Sequence, residues 1–164
     1  MVNTKIKSIV KTSLIVLLAA LVIIQFIHPA KNINTTISPK DIAVMYPMPD
    51  SVYHILQKAC YDCHSNNTRY PWYNNIQPVA WWLNDHIDEG KKELNFSEFG
   101  SRTLTKQAKK LKKMVKEVQK GGMPLDSYTW IHRDAILTNK EKNILIDWAT
   151  SLSNQIAAPV PIQK

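Results

Sequence analysis

The chain has 164 residues, enough for one domain with a modest core. Hydrophobic residues make up 45% and charged residues 21%, which excludes a disordered chain, and two cysteines cannot build a multi-disulfide framework. The formal net charge is +8; part of that excess lies at the extreme N-terminus, where Lys5, Lys7 and Lys11 stand and no acidic residue occurs before Asp41.

The first element is "KIKSIVKTSLIVLLAALVIIQFIHPAKN". It is an apolar run from Ser13 to Ile27, with no charge between Lys11 and Lys31. With Ile9 and Val10 it reaches the length that crosses a hydrocarbon core of about 30 Å. It has no polar face, which argues against a buried helix of a soluble protein. Residues 1–29 are therefore expected to form a signal anchor or transmembrane helix. The basic flank would stay in the cytoplasm, placing an inner-membrane-anchored domain in the periplasm. A cleaved signal peptide is the alternative, but His28 stands where a cleavage site wants a small residue. Residues 30–49, with Pro39, Pro47 and Pro49, read as a linker.

From Asp50 to residue 153 the periodicity is helical. Asp50 is expected as an N-cap, and Val52, Ile55, Leu56 and Ala59 recur at helical spacing up to Cys60. A second helix starts near Pro78, carries Trp81, Trp82 and His86, and is expected to end near Gly90. The third, "TKQAKKLKKMVKEVQKGG", puts Leu111, Met114, Val115 and Val118 on one face and lysines on the other, and Gly121 and Gly122 close it. The last begins at Thr138 with Glu141 three residues on, a capping box, and carries a stripe of Ile144, Leu145, Trp148 and Leu152. Residues 154–164 read as a flexible tail. No segment alternates with period two, so the fold class is all-α.

"CYDCH" carries the chemistry. Both cysteines, Cys60 and Cys63, stand two residues apart, and His64 follows directly. C-x-x-C-H is the attachment pattern of c-type haem. Two thiols add across the two porphyrin vinyl groups, and the histidine turns its imidazole toward the iron. A chance match in this length is on the order of one in a thousand. Structural zinc needs four closed ligands, which lone histidines would have to complete. A thioredoxin-like redox pair needs a βαβ context. A plain disulfide is the remaining alternative.

The iron needs a sixth ligand or stays open. Met123, in "GGMPLDSY", leaves the lysine helix through two glycines and precedes a proline, so it is the first candidate. His86 is the rival, and Met48 in "YPMPD" is a distant third. Met114 reads as core packing, and His54 and His132 as surface or capping residues. Tyr70, Trp72, Tyr73, Trp81 and Trp82 read either as core or as haem walls, with an indole N–H or Arg69 reaching a propionate.

The helix into "CYDCH", the "GMP" loop and the capped last helix resemble small c-type cytochromes. The expected architecture is a small cytochrome-c-like helical domain behind an N-terminal transmembrane helix. The fuller strings, "CYDCHSNNTRYPWYNNIQPVAWWLNDHIDEGKKELNFSEF" and "GGMPLDSYTWIHRDAILTNKEKNILIDWA", resemble the bacterial haem-binding domain family over most of residues 45–152. That resemblance implies one covalent haem c on Cys60 and Cys63, His64 as iron ligand and Met123 as the matching methionine. It implies little about partners. A non-catalytic one-electron carrier is the leading expectation, with acidic redox proteins as partners for a helix carrying Lys106, Lys109, Lys110, Lys112, Lys113, Lys116 and Lys120. The alternatives are a peroxidase-type enzyme, with His86 as distal acid–base residue, and a haem-based gas sensor. Both need an open iron site. No nucleic-acid partner is expected.

Overall fold

The computed structural model describes residues 3–158; residues 159–164 of the expected tail lie outside the described residues. Among the described residues the fold is all-helical, with one isolated β-bridge between Ile33 and Asn67 and no strand. The helices are α1 (Asn3–Ile24), α2 (Ile42–Met45), α3 (Asp50–Ala59), α4 (Tyr61–His64), α5 (Val79–Glu93), α6 (Leu104–Gln119), α7 (Asp126–Thr129) and α8 (Asn139–Ala157). Short 3-10 turns lie at Trp72–Asn75, Phe96–Ser101 and Arg133–Ala135. Two compact units form: one from the residues through Lys31 with Tyr70–His86, the other from Asn32–Arg69 with the chain from Ile87 onward.

In the first unit, Lys5–Ile24 is apolar and exposed along its length. Its 20 residues, at about 1.5 Å each, span about 30 Å, so the helix is long enough to cross a membrane as an anchor or a signal sequence. The chain just after it is tied to Gln77. The Gln25 side chain donates to the Gln77 carbonyl (3.1 Å) and accepts from its N–H (2.9 Å). The Gln77 amide and the Trp81 indole N–H both donate to the Ile27 carbonyl, at 2.8 and 3.0 Å.

In the second unit the apolar faces of α3, α6 and α8 meet. Leu56, Leu111 and Leu145 are fully buried there, with Phe96 and Phe99 from the turn before α6. Burying each such side chain contributes about 1.5–3 kcal/mol. The segment read as a linker, 30–49, also enters this core: Ile42 on α2 is fully buried, and the Tyr46 hydroxyl donates to Gln107 Oε1 (2.6 Å). Asp50 falls one residue inside α3; Pro49 takes the cap position, and Asp50 contributes its charge to the first turn. The tail begins later than its polarity suggests, because α8 continues to Ala157 with Ile156 buried.

Thr138 and Glu141 form the reciprocal capping box of α8, and Glu141 also pairs with Lys58 of α3 at 2.6 Å. The Lys58 ammonium, with the Thr138 backbone N–H, holds the Glu141 carboxyl below its usual 4.5. A carboxyl depressed on folding contributes stability above its unfolded pKa, and that contribution is lost as pH falls through the folded value. Thr138→Ala should lower unfolding stability by about 1 kcal/mol in a urea titration of the full chain. Glu141→Gln should flatten the stability–pH curve below pH 4.5.

Candidate haem site

The site is built on one turn of helix. α3 stops because Cys60 leaves helical geometry, at φ −131° and ψ −41°. The Cys60 carbonyl then accepts from the N–H groups of Cys63 (3.2 Å) and His64 (2.9 Å), closing α4 as a single turn. Side chains hold the loop that follows. The Ser65 hydroxyl donates to the Tyr61 carbonyl and the Thr68 hydroxyl to the Asp62 carbonyl, at 2.7 and 2.6 Å. Asn66 bonds Asn95, Ser97 and Glu98 through side chain and backbone, so it anchors the motif to the Phe96–Ser101 turn.

His64 is aimed by the chain just past α5. Its Nδ1 lies 2.8 Å from the Leu94 carbonyl. A carbonyl only accepts, so in the neutral ring Nδ1 carries the proton and Nε2 keeps its lone pair. Burial lowers the pKa of the ring and keeps it neutral. The edge of the Phe96 ring approaches it at 6.3 Å.

Gly90 was expected to end the second helix; instead it lies inside α5, which runs on to Glu93. The reason is contact with the motif: a Cβ there would sit 2.6 Å from the Cys63 carbonyl oxygen and 3.1 Å from Cys63 Cβ. The glycine lets α5 lie against the cysteine turn, which also explains why a helix interior accepts a residue that costs about 0.5–1 kcal/mol.

Met123 is placed by the end of α6. Gly121, at φ +76°, takes the left-handed position. The N–H of Gly121 bonds the Val118 carbonyl, and those of Gly122 and Met123 bond the Glu117 carbonyl. The Gly121 and Gly122 bonds are the Schellman pair, which stops the helix and fixes the direction of the next residue.

Cys60, His64 and Met123 line one cavity of about 200 Å³, walled mainly by apolar groups that include Ala59, Leu94, Phe96, Met114, Val118 and Leu137. Cys63 lies on the same turn as Cys60 and His64, against Gly90, and is not among the lining residues. Met114 is both buried core and cavity wall. Both thiols are free. Burial pushes the Cys60 thiol up to about 12, helped by Cys63, and burial with Asp62 pushes Cys63 up to about 11. An apolar cavity with a free imidazole nitrogen, a thioether sulfur and a thiol in its wall fits a haem.

At the cavity edge, Glu93 bridges Lys113 (2.7 Å) and Lys110 (3.2 Å). Those ammoniums, Lys113 first, pull its carboxyl down to about 2. This charged edge is invisible in the sequence, because Glu93 lies on a different helix from the lysines. Arg69 is engaged elsewhere, with Asp62, and Trp81 with Ile27. His86 belongs to the first unit, where Nδ1 lies 2.8 Å from the Trp82 carbonyl and the ring packs on the Trp82 indole. Met48 packs against the hydrophobic core, and His54 meets the edge of Tyr53.

A family model described as haem-binding domain matches residues 19–151 of the chain. Among curated proteins and among solved structures, none matches it.

Gly90→Ala sets two effects against each other. Helix propensity gains about 1 kcal/mol. The clash is with backbone oxygen, which cannot swing away, and overpacking costs about 1–3 kcal/mol. The variant should melt several degrees below the wild type; a raised melting temperature would show that the close approach is not needed.

Proposed function

The chain belongs to the haem-binding domain family, and from that premise we propose that it is a c-type cytochrome, an electron carrier held at the outer face of the inner membrane. Cys60 and Cys63 would hold the haem through thioether bonds, and His64 Nε2 and Met123 Sδ would be its protein ligands. The observation that supports this most is the convergence of Cys60, His64 and Met123 on one apolar cavity, with His64 Nδ1 already committed to Leu94.

Bound haem would supply a one-electron couple, and ligation by a methionine together with a histidine would raise its potential. The chain's own residues keep water away and hold the imidazole still, so that little rearranges when charge changes. With His64 and Met123 both as ligands, the iron would keep no position for a substrate, which favours a carrier over a peroxidase or gas sensor. His86, the candidate distal acid–base residue of a peroxidase, is not among the residues that line this cavity.

Lys106, Lys109, Lys112 and Lys116 are exposed on α6. They form a cationic face suited to acidic redox proteins. Retention of α1 as an anchor is favoured by Gln77, which is buried and partnered by Gln25 and Ile27. Cleavage after Ala30 would remove those partners. Lys5, Lys7 and Lys11, at the N-terminal end of α1, favour a periplasmic domain.

Expressed with a c-type maturation system, the wild type should keep haem on a denaturing gel, and Cys60→Ser/Cys63→Ser should lose it. Absence of stain in the wild type would sink the covalent reading. Met123→Ala should retain covalent haem but lose the weak red-end absorption band of sulfur-ligated ferric haem. Oxidation by ferricyanide, an anion, should slow as salt rises from about 10 to 200 mM, because screening shortens the reach of the lysine face. Lys112→Glu/Lys116→Glu should blunt that dependence.

A further inference from the structure

Asp62 lies between the two cysteines and is 5% exposed. Its Oδ1 accepts from Arg69 Nε (3.1 Å) and from the Arg69 backbone N–H (3.2 Å). Its Oδ2 accepts from the other arm of the guanidinium (3.3 Å) and, at 2.7 Å, from the Tyr128 hydroxyl. The last contact joins residues 66 positions apart. A short O–H bond to a carboxylate is among the stronger hydrogen bonds a protein makes. Burial, then Asp62 itself, raise the Tyr128 pKa, so the hydroxyl keeps its proton.

Tyr128 sits on α7, which begins three residues beyond Met123. α7 has no buried residue, and Trp130 and Ile131 after it are exposed. Hydrophobic burial therefore holds this stretch weakly. Met123 has two flanking supports. On one side the Schellman end of α6 fixes where the chain leaves the helix. On the other, Tyr128 packs against the core, stacks on His132 at 4.3 Å and bonds Asp62. Asp62 belongs to the same turn as His64, so this bond ties the methionine segment to the turn that carries the opposite ligand.

We infer that the Asp62–Tyr128 hydrogen bond sets the strength of axial ligation by Met123: Tyr128 is a positioning residue, acting through the loop rather than by touching the iron. The inference rests on the proposed His64–Met123 ligation. Loss of the bond frees the Met123 segment to swing out and opens the sixth position to outside ligands.

The test uses the full-length holoprotein and imidazole as competing ligand, followed by absorbance of the ferric form. Tyr128→Phe keeps the ring and removes the hydroxyl. It should retain covalent haem while imidazole binds roughly ten- to a hundredfold more tightly, the range set by a hydrogen bond to a charged group. Asp62→Asn keeps an acceptor for Tyr128 but removes the charge, and should give a smaller rise. The two variants need not both fold, since either rise supports the tie. A general loss of stability would lower the melting temperature without raising imidazole affinity. Wild-type affinity in the variants, with Met123→Ala binding far more tightly, would overturn the tie and keep the ligation. Equal affinity in wild type and Met123→Ala would refute Met123 as ligand, and the inference with it.

Discussion

The hydrogen bond from His64 Nδ1 to the Leu94 carbonyl is the constraint on which the site depends. It fixes the tautomer and requires the end of α5 to lie beside the cysteine turn. Once that end is there, a Cβ at position 90 would collide with Cys63, so Gly90 follows. Glu93 is then carried to the cavity edge, where Lys110 and Lys113 meet it. One backbone acceptor thus accounts for the placement of a glycine, a carboxylate and two lysines that look unrelated in the chain.

Much of the fold was legible because it is local. α6 and α8 announce themselves by periodicity and caps, and the Gly-Gly end of α6 follows from the need for a left-handed residue after Lys120. The two cysteines and His64 are read from spacing alone. Departures come where distant parts decide. Gly90 looks like a terminator, because sequence cannot reveal that Cys63 lies against it. Ile42 sits among prolines and polar residues, yet it is fully buried, since one apolar side chain is enough to pin a short turn. Asn66 bonds three residues some 30 positions away, which spacing alone does not reveal.

The polar groups of the motif divide by side. Toward the cavity, Cys60 at the cap of α4 and His64 at its end offer a thiol and an imidazole to an apolar space. Asp62, on the same turn, is matched by Arg69 and Tyr128. A four-residue helix has too few bonds of its own to hold a shape, so its geometry is borrowed from these neighbours. Tyr61, also on the turn, packs against Phe96 and Tyr53, and its hydroxyl is the buried side-chain atom without a hydrogen-bond partner among the described residues. Its contribution there is area rather than polarity.

The cluster of Lys110, Glu93 and Lys113 carries one net positive charge at the wall of the cavity. In the proposed carrier, the haem iron would become less positive on gaining an electron, so this charge would favour the reduced state. A negatively charged surface brought against the lysines cancels that preference. Contact with an acceptor would then lower the affinity for the electron at the moment of delivery. In the proposed carrier, docking on this helix would then also weaken the protein's hold on what it delivers.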